Sequence, residues 1–233
     1  MKIKSARFGH CENIYVGVEI ACFNLIYSEK LHFRHNNLGH KNIIKHCGRP
    51  FTSVEEMDEH LISAWNSCVS PNDSVYILGD LIFRSAAAPG TYLGRLCGKK
   101  HLILGNHDTS WTKKTDMSKH FASVEKYAEI SDGQHRITLC HYPLMMSWDH
   151  MARGSYMIHG HIHNNRDSSY FPLLRQMQNL LNAGVEINDY RPVSFDELVK
   201  NNEAFKTERT ENEMVSELAD RHRILPQPEV AKF

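Results

Sequence analysis

His101-Leu102-Ile103-Leu104-Gly105-Asn106-His107-Asp108 decides the fold: an apolar run, a glycine, then three polar side chains with lone pairs to offer. Such a run suits a sheet strand covered on both faces, and the glycine lets the backbone turn tightly at its end. The same pattern recurs along the chain. Val75-Tyr76-Ile77-Leu78 ends at Gly79-Asp80, and Arg136-Ile137-Thr138-Leu139-Cys140 ends at His141-Tyr142-Pro143. Tyr156-Met157-Ile158 ends at His159-Gly160-His161-Ile162-His163. Strands that each end this way can assemble a polar site that no single segment could supply.

Composition bounds the answer. The 233 residues, 41% of them apolar, suffice for one ordinary globular domain with a real core. Formal net charge is zero, so no global basic field points to nucleic acid. Sixteen histidines are many for this length, and histidine is the commonest metal ligand and a ready proton carrier. Cys11, Cys22, Cys47, Cys68, Cys97 and Cys140 form no CxxC pair, which reads as reduced thiols in a cytoplasmic protein. Met1-Lys2-Ile3-Lys4 does not open a signal peptide. No segment reaches the roughly 18 apolar residues of a membrane span.

The organisation follows from local signals. Ile14 to Ile26 reads as strand, and residues 28–44 as a histidine- and asparagine-rich loop. Ser53-Val54-Glu55-Glu56 is a capping box, followed by Val54, Met57, Leu61, Ala64, Trp65 and Cys68 at helical spacing. Pro71-Asn72-Asp73 stops that helix. Residues 112–128 are polar and expected to be part helical, and Leu180 to Ile187 reads as a strand. Ser194-Phe195-Asp196-Glu197 is a second capping box. Residues 1–200 are thus expected to form the main domain, with 201–233 a charged helical extension (Met214, Val215, Leu218, Ala219 as its apolar stripe) and residues 226–233 frayed.

The strand-end residues suit the chemistry of phosphate esters. A phosphodiester repels nucleophiles, and two cations about 3.5–4 Å apart neutralise its oxygens and acidify a bound water. Asp80 is the natural bridging carboxylate. Asn106 offers an amide oxygen, and His141, His161 and His163 offer imidazoles. His107 suits protonation of a leaving alkoxide, with Asp108 holding its ring in one tautomer. These donors suit Mn, Fe, Zn or Ni and disfavour Ca and Mg. Taken singly, a Gly-Asp pair after a strand is an ordinary turn, and Gly-His-Ile-His a turn with solvated histidines. The ordered set carries the reading.

Those motifs resemble the calcineurin-like metallophosphoesterases. Pro50-Phe51-Thr52-Ser53-Val54-Glu55-Glu56-Met57-Asp58 and Tyr190-Arg191-Pro192-Val193-Ser194 resemble their small bacterial and phage branch. The resemblance spans about residues 28 to 200. It implies an α/β fold, a two-sheet β-sandwich flanked by helices with the site at the sheet edge. It implies two divalent transition metals bridged by Asp80, one also held by His163 and the other by Asn106, His141 and His161, with His107 as catalytic acid. It implies hydrolysis of phosphate mono- or diesters, nucleotides or cyclic nucleotides among them, through a metal-bound hydroxide.

One departure stands at the start. The family opens its site with Asp-x-His, and no such motif precedes Asp80 here. Matching His32-Phe33-Arg34-His35 makes His32 a metal ligand with Glu29 substituting nearby, although Lys30 then stands where the aspartate should be. Matching Leu38-Gly39-His40-Lys41-Asn42-Ile43-Ile44 puts His35 and Asn37 in the aspartate and histidine places. The first match is favoured because His32 follows the apolar run ending at Tyr27. The gap also motivates an alternative: a degenerate member acting as a binding or scaffold module with one metal or none. Arg84, Arg153 and Arg166 are candidate phosphate grips or solvated surface. The expected partner is a small phosphate ester or nucleotide rather than a membrane. Nucleic acid lacks a basic stripe to support it, and the C-terminal helix is the expected contact in any oligomer.

Overall fold

The computed structural model describes residues 30–145 and 154–207. The strand expected between Ile14 and Ile26, Glu29, Arg153 and the extension beyond Thr207 lie outside the described residues. Two four-stranded sheets organise the chain. The first runs β1 (Leu31–Arg34), β2 (Ser74–Ile77), β3 (Lys99–Ile103), β4 (Ser123–Glu125), all parallel. The second runs β5 (Tyr127–Ser131), β6 (Arg136–Cys140), β7 (Tyr156–His159), β8 (Leu180–Asn182). Its edge strand β5 is antiparallel to β6, and β6, β7 and β8 are parallel.

Side chains alternate across each strand, and this produces three apolar layers. Phe33, Leu78 and Ile103 face Ile137, Leu139, Ile158 and Leu181 between the two sheets. On the outer side of the first sheet, Val75, Ile77 and Leu102 pack on Met57, Leu61 and Trp65 of α2 (Val54–Cys68). The short helices α1 (Lys41–His46), α3 (Pro89–Leu93) and α4 (Thr109–Thr112) bury Ile43, Leu93 and Trp111 in the same layer. On the outer side of the second sheet, Cys140, Met157 and Leu180 pack on Leu174 of α5 (Phe171–Gln176). The result is a mixed α/β fold with two parallel-rich sheets face to face and helices outside.

Local chemistry sets the helix starts. Ser53 Oγ accepts from the Glu56 N–H at 3.1 Å, and Glu56 reaches back to accept from the N–H (2.8 Å) and hydroxyl (2.6 Å) of Thr52. The second box is reciprocal. Glu197 accepts from the Ser194 N–H at 2.9 Å, and Ser194 Oγ accepts from the Glu197 N–H at 3.4 Å. Helix α6 (Phe195–Thr207) follows and packs on β8 and β1. It ends at Thr207, with Phe205 buried and Lys206 donating to the carbonyls of Met177 and Leu180.

Two expectations are corrected. The described part of the stretch 28–44, residues 30–44, is not a loop: it contains β1 and the start of α1. Their signal was hidden because β1 buries polar His32 and Arg34 on its outer face, with the Arg34 guanidinium 5.3 Å from the Trp65 ring. The stretch 112–128 is part helical as expected, in the end of α4 and a 3-10 turn (Met117–Lys119), and also holds the edge strand β4. The expected strand 180–187 stops at Asn182, and Val185–Ile187 is a 3-10 turn. No helix among the described residues is long and apolar enough to cross a membrane.

The second capping box gives a pH prediction. Arg191 and then the Ser194 N–H hold the Glu197 carboxyl at about 2, below its ordinary value of 4.5. A carboxyl depressed on folding stabilises the fold above its unfolded value and loses that contribution as pH falls toward the folded one. Urea melts should therefore show a fall in stability between pH 4.5 and 2 that is smaller in Glu197→Gln, which cannot ionise. Equal acid limbs for both proteins would refute the assignment.

Candidate metal site at the strand ends

Parallel strands in register deliver their C-terminal residues to one edge, the common place for ligand sites in such sheets. Arg34 pairs with Ile77, and Ile77 with Leu102, so residues 35–37, 78–80 and 104–106 emerge together. His141, His161 and residues 182–184 emerge likewise from β6, β7 and β8. Backbone bonds close the edge: the His35 N–H donates to the Ala183 carbonyl at 2.8 Å, and the Gly160 N–H to that of His141 at 3.0 Å.

The first cluster surrounds His141 Nε2. The ring's Nδ1 lies 2.7 Å from the Leu78 carbonyl oxygen, an acceptor, so Nδ1 carries the proton. In the neutral ring Nε2 then bears a lone pair. That lone pair faces Asn106 Oδ1 at 2.9 Å, His161 Nδ1 at 3.1 Å and Asp80 Oδ2 at 3.4 Å. With the His161 proton on Nε2, electron-rich atoms converge at these distances with no proton between them, an arrangement that suits a cation. The ligand atoms of Asp80, His141 and His161 also lie within 4.8 Å of one another. Burial, then the neighbouring His141, holds His161 below its ordinary value, which favours the neutral imidazole that metals need.

The approach is close because of glycine. Gly79 has φ +81°, and a Cβ there would strike the His141 ring and lie 2.7 Å from the Gly105 backbone. Asp80, His161 and His163 themselves have positive φ values of 52°, 64° and 50°. Non-glycine residues adopt this conformation at a cost that tends to be concentrated at functional sites.

The second cluster contains His35 and His163. The Nδ1 of His35 is 2.9 Å from the Gly79 carbonyl and 3.1 Å from that of Leu78, while its Nε2 is buried without a hydrogen-bond partner among the described residues. Burial, then His163 and His141, holds this imidazole well below its ordinary value. His163 turns Nδ1 to Glu186 Oε1 at 3.0 Å, and the Arg49 guanidinium donates to the same oxygen at 2.7 Å. Burial pushes Glu186 up, but the His163 bond and Arg49 outweigh it and leave the carboxyl below the usual range. Cys47 joins His163 and Glu186 in a ligand-like group. Its thiol is pushed up to about 12 by burial and then by Glu186, and Arg49 supplies positive charge. That group orients His163, as carboxylates commonly do for ligand imidazoles, rather than holding a cation itself.

His107 stands at the exposed rim. Its N–H donates to Asp80 Oδ1 at 2.8 Å, and its ring lies 4.3 Å from that of Phe83. Phe83 also stacks on His40 at 4.3 Å and carries the Arg84 guanidinium at 5.1 Å. Arg166 lies instead 4.5 Å over Phe205 of α6. Beside Asn106 a cavity of about 460 Å³ is lined by Leu104, Thr109, Thr112, Lys126, Cys140 and Tyr142, among others.

Two expectations are corrected here. His32 does not join the site: its Nε2 is 3.2 Å from Asp73 Oδ2, and it lies near the start of β1. Three residues of strand, about 10 Å at 3.3 Å each, separate it from the edge, where His35 stands instead. Asp108 does not orient the His107 ring. Its buried carboxylate accepts from the N–H groups of Asp80 (2.7 Å), Leu81 (3.0 Å) and Gly105 (2.8 Å) and from Trp111 Nε1 (2.9 Å). Sequence reasoning passed over Glu186 and Arg49, for which no local signal exists. His35 was visible only through the second of the two matches.

Asp108→Ala would leave several buried donors unpaired at about 1–3 kcal/mol each. Chemical denaturation should show a loss of at least about 3 kcal/mol. Wild-type stability in this variant would return Asp108 to a role at the His107 ring.

Comparison with protein-family models gives no match. The uncharacterized protein MJ1445 of Methanocaldococcus jannaschii is 36% identical over 183 residues, covering 76% of this chain and 93% of that protein. The gene 66 protein of Mycobacterium phage L5 is 30% identical over 154 residues, covering 55% of this chain and 74% of the phage protein. Among solved structures, the protein of unknown function AQ665 from Aquifex aeolicus superposes with a TM-score of 0.54 at 26% identity, covering 73% of this chain and 98% of that one. The chain belongs to the same protein family as MJ1445 of Methanocaldococcus jannaschii.

Proposed function

We propose that this protein is a metal-dependent phosphoesterase of the calcineurin-like kind, hydrolysing phosphate mono- or diesters. One observation carries the reading: His141 Nε2, its Nδ1 proton committed to Leu78, faces Asn106, His161 and Asp80 oxygen or nitrogen atoms at 2.9–3.4 Å. This donor set of two imidazoles, an amide and a carboxylate fits Mn, Fe, Zn or Ni. A divalent ion there would neutralise phosphate oxygens and lower the pKa of a bound water. The chain's own residues do the rest. Asp80 and Asn106 sit on loops tied together by Asp108. His107, held at the rim by its backbone bond to Asp80 and by Phe83, would deliver a proton to the leaving oxygen.

The cavity beside Asn106 favours an ester with an organic leaving group, a nucleotide or cyclic nucleotide among them. Its apolar wall and the Tyr142 ring offer a flat surface, and Lys126 offers a cation. The phosphate would lie over the imidazoles and the leaving group beside Thr109 and Thr112.

A second reading has one observation in its favour. The first motif contributes no carboxylate to the described residues of the site, and His32 is withdrawn to Asp73. On that reading the protein keeps one ion or none and works as a binding or scaffold module.

Purified protein supplied with Mn or Ni should cleave a chromogenic phosphodiester. Asp80→Asn should reduce turnover to background. His107→Ala should lower kcat by about 10²–10⁴-fold while leaving metal content unchanged. Turnover no higher than in Asp80→Asn under every metal tried would favour the scaffold.

A further inference from the structure

The first sheet hands over to the second at one residue, Lys126, which lies between the last residue of β4 and the first of β5. Strand β4 is parallel to β3, and the Leu104 N–H donates to the Glu125 carbonyl at 2.7 Å. Lys126 therefore leaves the first sheet at the edge where Asn106 emerges. On its other side Tyr127 pairs with Cys140 across β5 and β6, so Lys126 stands one residue beyond that pair, on the His141 side. It is exposed, and it lines the cavity of about 460 Å³ beside Asn106.

The walls of that cavity suit an organic group that carries negative charge. Its volume falls within the roughly 300–1,000 Å³ usual for small-molecule sites. Tyr142 is 44% exposed, and its ring stands steeply tilted against those of His141 and His161, with centroids 4.9 and 4.8 Å away. The two imidazoles hold the ring in place, and its exposed part offers a surface for another aromatic ring. Thr109 and Thr112 are three residues apart on α4 and so share a face. The Thr112 hydroxyl donates to the Asp108 carbonyl at 2.8 Å, which leaves its oxygen free to accept. Among the described residues lining the cavity, Lys126 is the one charged side chain, so no carboxylate in the wall opposes an anion.

We infer that the substrate is a phosphate ester whose leaving group is itself a phosphorylated nucleoside, with Lys126 holding the second phosphate and Tyr142 stacking on the base. The inference rests on the phosphoesterase reading and narrows it. In the reaction the oxygen of a water bonds to the phosphorus of the first phosphate. The bond from that phosphorus to the leaving oxygen breaks, with its electron pair on the oxygen. His107 supplies the proton that makes the leaving group an alcohol, and the proton released by the water restores His107. The second phosphate takes no part in the bond changes. A lysine that holds it binds ground state and transition state alike, so its effect falls on KM rather than kcat.

The test compares adenosine 3′,5′-bisphosphate with adenosine 3′-phosphate and adenosine 5′-phosphate, reading phosphate release with Mn or Ni present. Wild type should favour the bisphosphate over the better monophosphate by about tenfold or more in kcat/KM. Lys126→Ala should bring that ratio close to one, with the loss in KM. Lys126→Arg should keep the preference and Lys126→Glu should reverse it. Calorimetry without added metal gives a readout apart from turnover: adenosine 5′-phosphate should bind more tightly than adenosine, and Lys126→Ala should remove the difference. A ratio near one in wild type, a preference that survives Lys126→Ala, or equal binding of adenosine and its 5′-phosphate overturns the inference. Cleavage of a chromogenic phosphodiester but of none of the three nucleotides also overturns it, and leaves the phosphoesterase reading standing. No turnover of any ester with any metal removes that reading and the inference together.

Discussion

The Asp108 carboxylate is the constraint on which the site geometry rests. It grips the backbone of Asp80 and Leu81 after β2, the Gly105 N–H after β3, and the Trp111 indole of α4. Those bonds fix two loops from adjacent strands at one separation, and Asp80 and Asn106 ride on them. Burial raises the Asp108 carboxyl above its ordinary value, and the bonds from Gly105 and Trp111 offset this only in part. The fold accepts that cost where it holds a polar edge rigid. Without that grip the Asp80 side chain would be free to leave the His141 ring, and the positive φ of residue 80 would relax.

The imidazoles share a second constraint. His35 and His141 both turn Nδ1 to the Leu78 carbonyl, and His163 turns it to Glu186. Each is thereby locked into the tautomer that leaves Nε2 as a lone pair. Orientation by an outer acceptor is what makes a histidine a dependable ligand. The buried Arg49–Glu186 pair belongs to this outer layer, with Arg49 compensating the carboxylate that orients His163. The outer layer thus balances its own charge through the Arg49–Glu186 pair, and Asp80 is the carboxylate that faces His141.

The parallel arrangement of β1–β3 and β6–β8 explains why residues so far apart in the chain meet. Each strand delivers its following turn to the same edge, and the central layer of Phe33, Leu78, Leu139 and Ile158 holds the two edges together. Helix α6 clasps β8 and β1, where the two sheets approach. The bridge between His35 and Gly184 seals that junction.

Much of this was legible in the chain. Apolar runs ending in glycine and polar residues fixed where β2, β3, β6 and β7 stop, and the Ser53 and Ser194 boxes fixed where α2 and α6 begin, because these are local properties of composition and spacing. Asp80, Asn106 and His161, which meet around His141, each lie within three residues of a strand end, so their approach to one edge was readable from the runs that precede them. Tertiary structure decided the rest. Whether His32 or His35 reaches the edge depends on where β1 starts its register against β2, which a strand of alternating polar and apolar residues does not reveal alone. Whether Asp108 holds a ring or a backbone depends on the loop lying across from it. The service of Glu186 and Arg49 to His163 joins residues 23 and 137 positions apart. Pairing across sheets is non-local, so one-dimensional periodicity carries no record of it.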